Sequence, residues 1–485
     1  MNTKYLILAA TLTWLAFHTS SHARAQESDK PNIIFILADD LGYGEVGFNG
    51  QENILTPELD EMAQRGLVFN HHYAGAAVCG PSRCALMTGK SQAIGFIKNN
   101  PGYMWQRENL PDNEITIAEK MKEAGYETAC IGKWGLGPQG KSGYPLNQGF
   151  DEFVGYDTHI AAHNYYPKEI CKNEGMLQLR GNAGVRKREV GKTYSHDIFT
   201  ESALEFLKRR HQKPFFLYLA YTIPHSPFNP PDNEPYANKR WTDIQKQYAA
   251  MITRMDRDIG KVLKALRDQG IADNTLVVFT SDNGTNAPGS KPAGDEFFRA
   301  SGPFRGKKTT VFEGGIRVPT VFLWPGRIEA GRTNHTSGFQ DIMPTLCELT
   351  GVRSPKNIDG ISLLPTLTGK TGKQKQHDYF YWEFCSMGPE GVSNGIQAVL
   401  DVKNNLKAIR RGKNAKLQLY NIRNDPEESE DLADYHPGQV KELDDKIDSL
   451  RGSSELWPVT FFDYPEKKVR YEELIEKWAS LKSSL

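Results

Sequence analysis

Short apolar runs alternate with amphipathic segments along most of the chain. Each run has the length of a buried strand and is separated from the next by a segment with helical spacing. Strands that alternate with helices predict an α/β fold, with helices flanking a sheet. The runs interpreted as strands are 33–37, 128–131, 215–221 and 276–279.

Two segments have the apolar spacing of amphipathic helices. The first, 57–65, follows Thr56 and precedes Gly66, which are the residues expected at the two ends of a helix. The second, 244–266, carries apolar residues three or four positions apart and ends near Gly270. We interpret the methionines of the second helix as core residues.

The composition changes after residue 360. The segment 360–375 is rich in Gly, Thr and Lys, and aromatic strand-like pieces at 379–384 and 417–420 follow it, with a charged helical tail. We therefore predict a main domain over 26–370 and a smaller C-terminal domain over 371–485, built from a short antiparallel sheet and helix.

The N-terminus has the form of a signal peptide. Lys4 is followed by an apolar run over 5–17 and by Ala23-Arg24-Ala25, an A-x-A cleavage pattern. The run is shorter than the ~20 residues that a helix needs to cross a bilayer. The sequence thus predicts a cleaved leader over 1–25, export to the periplasm or the medium, and no stable membrane insertion.

Composition and charge narrow the class of function. Hydrophobic residues make up 39% and charged residues 24% of the chain, as in a globular enzyme. Without Lys4 and Arg24, 57 of the 59 basic side chains remain against 59 acidic ones, a net charge of −2. No positive field exists to attract nucleic acid, so any anionic substrate has to be bound by a few cations in a pocket.

Polar residues follow four of the predicted strands, where ligands bind in open α/β sheets. Two of these strands end in a pair of residues with side-chain oxygens, Asp39-Asp40 and Asp282-Asn283. One such pair alone is ordinarily a turn or a helix cap, but two of them at strand ends favour a site for one divalent cation. Carboxylate and amide oxygens suit Ca²⁺ or Mg²⁺. The six cysteines lack the paired CxxC spacing of a zinc site. The strand-end residues are Asp39, Asp40, Lys133, His225, Asp282 and Asn283.

The segment Cys79-Gly80-Pro81-Ser82-Arg83, closed by Thr88-Gly89, resembles the type I sulfatase signature, whose first Cys is oxidised to formylglycine. A buried Cys before a helix, paired with Cys84, is the alternative. Further blocks match the family in order over roughly residues 30 to 350. These blocks are Asp39-Asp40-Leu41-Gly42, Gly132-Lys133-Trp134, Pro224-His225, Ser281-Asp282-Asn283-Gly284 and Lys308 through Glu313-Gly314-Gly315-Ile316-Arg317-Val318-Pro319.

The resemblance implies an alkaline-phosphatase-like mixed sheet flanked by helices, and a smaller C-terminal α+β domain. It implies a sulfatase that needs a formylglycine-generating maturation enzyme, uses formylglycine at position 79 as nucleophile and holds one Ca²⁺. One hydroxyl of the hydrated aldehyde would attack sulfur and expel the alcohol, and the other would drive elimination of sulfate and restore the aldehyde. The implied active-site residues are Cys79, Arg83, Lys133, His225 and Lys308, and the implied metal ligands are Asp39, Asp40, Cys79, Asp282 and Asn283. Consuming Cys79 leaves an odd number of cysteines and hence a free thiol.

Two alternatives stay open. A phosphonate or phosphate ester hydrolase of the same superfamily uses a similar metal site, and a catalytically silent glycan-binding relative keeps the fold. The silent reading predicts loss of the Cys or of the acidic pairs, and both are intact.

The substrate is predicted to be a sulfated carbohydrate, because aromatic and polar residues flank the predicted site and aromatic faces stack on sugar rings. The residues are Tyr103, Met104, Trp105, His163, Asn164, Tyr165, Tyr166, Phe297, Phe298 and Arg299.

The chain departs from the family at Gly135, where many relatives have a His that serves as the base for sulfate release. We predict a substitute base from another loop, with His72, His163 and His196 as candidates.

Overall fold

The protein is described here by a computed structural model, which covers residues 30–100, 109–186, 189–289, 297–388, 391–412 and 415–454. Two sheets carry the architecture, a large mixed sheet and a small antiparallel one. The strands are β1 Asn32–Asp39, β2 Leu67–Phe69, β3 His72–Tyr73, β4 Glu127–Lys133, β5 Glu152–Tyr156, β6 Glu169–Lys172, β7 Gly175–Gln178, β8 Phe215–Pro224, β9 Thr275–Ser281, β10 Val321–Leu323, β11 Gly331–Thr333, β12 Ser337–Gly338, β13 Tyr379–Gly388, β14 Gly391–Asp401, β15 Leu406–Arg411 and β16 Gln418–Asn421.

The helices connect these strands and cover both faces of the large sheet. The α-helices are α1 Pro57–Arg65, α2 Cys79–Thr88, α3 Ile117–Glu123, α4 Ser195–Lys208, α5 Asp243–Asp268, α6 Glu313–Ile316, α7 Ile342–Thr350, α8 Leu364–Leu367 and α9 Pro437–Leu450. Short 3-10 turns occur at Tyr43–Glu45, Gly47–Asn49, Pro145–Gln148, Ala161–His163, Ala272–Asn274, Phe339–Asp341 and Thr371–Lys373.

The large sheet has ten strands in the order β11, β2, β10, β9, β1, β8, β4, β5, β6, β7. Its centre is parallel: β1 pairs with β8 and β9, and β4 pairs with β8 and β5. Towards one edge β10 runs antiparallel to β9, and towards the other β6 and β7 are antiparallel. The α/β prediction is therefore confirmed, with a mixed sheet.

The side chains of β1 divide between two cores, because successive residues of a strand point to opposite faces. Ile34 and Ile36 join the core formed with α1, α4 and α5, whereas Ile33 and Phe35 join the core formed with α2, α3 and α7. The central strands are buried on both faces, as a parallel sheet between two helical layers requires.

The small sheet has the order β13, β14, β15, β16 and is antiparallel throughout. One face packs Phe380 and Trp382 against Tyr73 and Phe312 of the main body. Its other face is covered by α9 through Leu443. This sheet and helix form the smaller α+β part that the sequence predicts.

The predicted helix over 57–65 is present, but the side chain of Thr56 does not cap it. The Thr56 hydroxyl accepts from Gly47 N and makes no bond to a helix amide. The first free amides, those of Glu58 and Leu59, are instead satisfied by the carboxylate of Asp256 on α5. A partner from a distant helix therefore replaces the local cap, which a local pattern cannot reveal.

The predicted leader, residues 1–25, lies outside the described residues. Within the described ranges, no helix is both long enough and apolar enough to cross a bilayer. All six cysteines are free thiols, so the Cys79 to Cys84 disulfide considered above is not formed.

Candidate active site

Polar side chains lie together at the carboxyl ends of four neighbouring parallel strands in the centre of the large sheet, β9, β1, β8 and β4. Asp39 ends β1, Lys133 ends β4, His225 follows β8 and Asp282 follows β9. All four residues are buried, with at most 6% of their surface exposed. The sequence rule that ligands gather at the carboxyl ends of strands therefore brings these predicted residues together.

Asp40 has a left-handed backbone conformation, with φ of 68°. Non-glycine residues rarely adopt it, and it costs about 1–3 kcal/mol. In this conformation the carboxylate receives hydrogen bonds from Asn283 Nδ2 at 2.8 Å and from Lys308 Nζ at 2.8 Å. The strained turn thus points Asp40 into the same cluster as Asp282, whose Oδ1 accepts from Asp40 N.

Arg83 lies behind the cluster on the second turn of α2. Its Nε and Nη2 donate to Asp282 Oδ2 at 3.0 and 2.8 Å, and its Nη1 donates to the carbonyl of Lys133 at 2.7 Å. Lys133 Nζ donates to Asp39 Oδ2 at 2.6 Å. These charge-assisted bonds link three strands and a helix into one network.

The charges of the site perturb one another. Burial would raise the pKa of Asp39, but the neighbouring Lys133 and the other cations hold it well below its usual range. Burial would lower the pKa of Lys308, but Asp40 raises it above its ordinary value. Burial and repulsion from Asp39 raise the pKa of Asp282. Three carboxylates are therefore crowded at one place, which a bound cation would relieve.

Two groups of side chains are spaced to hold a metal ion. Oxygen, sulfur or nitrogen atoms lie within 4.8 Å of one another in the group of Asp39, Cys79 and Asp282, and in the group of Asp39, Asp40 and His225. Asp39 Oδ1 and Asn283 Oδ1 are buried and have no hydrogen-bond partner among the described residues. Two buried oxygen acceptors without a donor fit a cation that prefers oxygen ligands.

Cys79 begins α2, a helix in which every residue is buried. Its sulfur lies 3.4 Å from Asn100 Nδ2, and the backbone N–H of Gly80 donates to Asn100 Oδ1 at 2.8 Å. Asn100 was not predicted from the sequence, because it lies in a loop without a regular pattern of apolar and polar residues.

His225 is held by hydrogen bonds to its own turn. Its Nδ1 lies 2.5 Å from the carbonyl of Ser226, which makes Nδ1 the donor and leaves Nε2 directed at Asp40 Oδ2, 3.5 Å away. The hydroxyl of Tyr165 donates to the carbonyls of Thr222 and His225. Burial and the charge of Lys308 lower the pKa of His225 well below its usual value.

Of the three histidines proposed to replace position 135, His163 contacts the site. Its ring stacks on His225, with centroids 4.2 Å apart and planes inclined by 11°. His72 instead hydrogen-bonds Ser337, and His196 pairs with Asp258 between α4 and α5. These last two histidines have structural partners within their own cores.

Gly135 faces another histidine that the sequence did not single out. Its φ is 76°, and a Cβ added there would lie 3.8 Å from His159 Cβ. Burial and the charge of Lys308 lower the pKa of His159 to about 4. His159 follows the end of β5 by three residues, so the strand-end rule applied to this fifth strand would have found it.

The expectation that the flanking aromatic residues stack on sugar is wrong for those in the core. Tyr165, Tyr166 and Phe298 are buried, with at most 1% of their surface exposed. Trp241 packs edge-on against Phe298. Burial of apolar area explains why these residues are there. The other predicted flanking residues at 103–105 lie outside the described ranges.

Two family models match the chain. One, described as Sulfatase, matches residues 31–352. The other, described as N-sulphoglucosamine sulphohydrolase, C-terminal, matches residues 304–452. The first match contains every residue of the cluster described above.

Curated proteins and solved structures also resemble the chain. It is 33% identical over 427 residues to N-acetylgalactosamine-6-sulfatase of Mus musculus, a match that covers 84% of this chain and 76% of that protein. It is 32% identical over 383 residues to arylsulfatase A of Homo sapiens, covering 73% and 70%. The solved structure of Ps i-CgsB in complex with k-i-k-neocarrahexaose superposes with a TM-score of 0.74 at 28% identity, covering 93% of this chain and 97% of that one.

Proposed function

The chain belongs to the sulfatase family, with the alkaline-phosphatase-like fold, and is a sulfuric ester hydrolase; on that premise we propose that it cleaves sulfate esters of carbohydrates with formylglycine made from Cys79 and one calcium ion. The observation that carries the proposal is the buried cluster in which Cys79 lies beside the acidic groups. In that cluster Asp39 and Asp282 each offer an atom within 4.8 Å of the Cys79 sulfur.

The proposed calcium ligands are Asp39, Asp40, Asp282 and Asn283, together with the group at position 79. Oxygen donors at a buried site favour Ca²⁺ over zinc. The unpartnered Asp39 Oδ1 and Asn283 Oδ1 support this set. When bound, the ion supplies Lewis-acid activation of the nucleophile, and the formylglycine supplies the attacking hydroxyl.

The charged side chains of the cluster sum to zero before a metal ion or substrate is added. The carboxylates of Asp39, Asp40 and Asp282 are matched by Arg83, Lys133 and Lys308, which pair with them. A divalent cation therefore leaves an excess of two positive charges in a buried site, where the low local dielectric strengthens their attraction for a sulfate ester.

The roles of the individual cations follow from where they are anchored. We propose that Lys308, held by Asp40, and Lys133, held by Asp39, bind sulfate oxygens with the donors that remain on each ammonium group. His225 presents Nε2 to the site and is proposed to protonate the leaving oxygen, because the negative charge of bound substrate favours its protonated form.

A carbohydrate substrate is supported by the relatives. The mouse protein is named for the sulfate at position 6 of N-acetylgalactosamine, and Ps i-CgsB was solved with a carrageenan-type oligosaccharide bound. Half-buried His163 and Asn164 lie on the loop beside His225. We propose that this loop contacts the sugar that carries the sulfate.

The test is a substrate panel of sulfated mono- and oligosaccharides, an aryl sulfate, and the matching aryl phosphate and phosphonate. We expect kcat/KM for the best sulfated saccharide to exceed that for the aryl sulfate by at least about 100-fold, because contacts remote from the reacting bond contribute to the transition state. Activity confined to aryl sulfate would contradict the carbohydrate proposal. Preference for a phosphorus ester would favour the alternative hydrolase, and no turnover would favour the silent glycan-binding protein.

We further propose that His163 replaces the base missing at position 135. Its ring lies against His225, and its buried Nε2 has no hydrogen-bond partner among the described residues. Burial and the charge of His225 lower the pKa of His163 well below its usual value. The neutral imidazole is therefore available as a proton acceptor.

Replacing His163 with alanine is expected to lower kcat by ~100-fold and to accumulate protein that carries bound sulfate, because loss of a general base slows sulfate release. Intact mass spectrometry during turnover measures the bound sulfate. His436→Ala is the matched control, since His436 is exposed and lies in the C-terminal part. Normal turnover without the mass increase in His163→Ala would refute this role.

The remaining assignments concern the whole chain. We propose that residues 26–370 form the catalytic domain and 371–485 the smaller one. The charge and apolar pattern of residues 1–25 supports export to the periplasm or the medium. The sequence around Cys79 supports a formylglycine-generating enzyme as a partner.

A further inference from the structure

The N-terminus of α2 is capped by a side chain from elsewhere in the chain. Val78 precedes the helix and makes no side-chain cap bond, and Pro81 has no N–H. The N–H of Gly80 donates to Asn100 Oδ1 at 2.8 Å, across 20 residues of sequence. The amide of Asn100 therefore takes the place of the usual N-cap.

This bond fixes the orientation of the Asn100 amide. Because its oxygen accepts from Gly80, its Nδ2 faces the side chain at position 79, 3.4 Å from the Cys79 sulfur. A neutral hydrogen-bond donor is thus directed at the end of the side chain at position 79, where the proposed function replaces the sulfur by the oxygen of the nucleophile.

Asn100 is itself anchored by the C-terminal sheet. Its backbone N–H donates to Asn99 Oδ1 at 2.8 Å, and Asn99 Nδ2 donates to the carbonyl of Cys385 on β13 at 2.6 Å. The amide of Gln92 exchanges hydrogen bonds with the backbone of Glu383 on the same strand. A continuous chain of hydrogen bonds therefore runs from β13 to position 79.

We propose that Asn100 is a positioning residue for the nucleophile. This inference rests on the proposed function and extends it: Asn100 Nδ2 donates to an oxygen of the formylglycine at position 79 and holds it in the orientation for attack on sulfur. Its oxygen meanwhile fixes the first turn of α2. The C-terminal sheet supports the active site through Asn99.

Asn100→Asp separates the two roles of this side chain. Aspartate keeps an oxygen for the Gly80 N–H, so the helix cap is retained, but it has no N–H to donate to position 79. We expect kcat to fall by ~10- to 100-fold, as for a lost orienting contact, and KM to rise, because the added carboxylate reduces the positive charge that attracts the ester. The melting temperature and the fraction of position 79 converted to formylglycine are expected to match those of the wild type. The neutral Asn100→Ala variant is expected to show the same fall in kcat with KM changed by less than about twofold.

Asn100→Ala removes both roles and provides a readout without turnover. Cys79 is 1% exposed, and Asn100 Nδ2 contacts its sulfur at 3.4 Å. In full-length protein made without the maturation enzyme, we expect iodoacetamide to alkylate Cys79 several-fold faster in this variant. Asn147→Ala is the matched control, because the exposed side chain of Asn147 bonds the carbonyl of Lys141.

The outcomes separate this inference from the proposed function. Wild-type turnover in Asn100→Asp would overturn the positioning role and leave a helix cap alone. If the wild type cleaves no ester, the proposed function has failed, and an unchanged alkylation rate in Asn100→Ala would then overturn the contact as well. A fall in kcat in both variants, with full conversion and faster alkylation in the alanine variant, supports the proposal.

Discussion

Replacing Cys79 with alanine is expected to abolish hydrolysis of sulfate esters, with kcat lowered by at least about 10⁴-fold, because no other group supplies the covalent nucleophile. The fold is expected to persist. The side chain is small, and loss of one buried sulfur costs about 1 kcal/mol. Cys79→Ser is expected to be inactive too, because its hydroxyl does not provide the geminal pair of hydroxyls that the proposed mechanism uses.

The measurement is turnover of the best saccharide in protein produced together with a maturation enzyme. Mass spectrometry of the peptide that carries position 79 reports the conversion of Cys to formylglycine in the wild type. Cys347→Ala is the control, since Cys347 is a buried thiol in the apolar core around α7. Near-normal turnover in Cys79→Ala, in a preparation free of other sulfatases, would refute the assignment of the nucleophile.

The largest loss of stability is expected from Lys407→Met. Lys407 is fully buried on β15, and its Nζ lies 2.9 Å from Glu313 Oε1 and 3.0 Å from Glu428 Oε1. Methionine has a similar volume but leaves the buried carboxylate of Glu428 without a cation, and that of Glu313 with Arg317 alone. Breaking a buried ion pair by removing one partner costs about 3–5 kcal/mol.

Urea unfolding checks this prediction through the free energy of unfolding. Burial raises the pKa of Glu428 to about 7. In the wild type this raised pKa costs stability as the pH rises from the ordinary value of 4.5 to about 7. Removing Lys407, whose charge lowers the pKa of Glu428, raises that pKa further, so the deficit of the variant is expected to be larger above pH 7 than below it. Lys416→Met is the control, because the ion pair of Lys416 with Asp434 is exposed. Equal midpoints for the two variants would contradict the buried role of Lys407.

The central strands and the residues at their ends were predictable from the sequence. The apolar run that predicts β1 ends in Asp39, and the run that predicts β9 leads into Asp282. Since the carboxyl ends of parallel strands meet at one edge, the pattern alone predicts that these groups converge. The order of the strands was not predictable, because β8 inserts between β1 and β4 only through long-range pairing.

The strand pattern does not place the loop residues of the site, because distant contacts do; Lys308 was expected only from the family resemblance, and Asn100 was not expected. Lys308 reaches Asp40 from a loop whose backbone is fixed by Lys308 N bonding Thr285 and by the left-handed Thr309, whose N–H bonds Ala77. Asn100 depends on Asn99 and the C-terminal sheet in the same way. The wrong expectation that Tyr165 and Phe298 stack on a sugar has a related origin. A sequence does not reveal which aromatic residues of a loop point into the core.

The burial of α2 imposes an order of events during biosynthesis. Every residue from Cys79 to Thr88 is buried in the folded molecule, and Asn100 contacts the sulfur. If Cys79 is oxidised to formylglycine as proposed, the oxidising enzyme has to bind the chain before α2 docks against the sheet, and modification competes in time with folding. A chain that folds faster than it is oxidised would be stable, well packed and permanently inactive. The yield of active protein is thus a kinetic branching ratio, which stabilising the native state cannot improve.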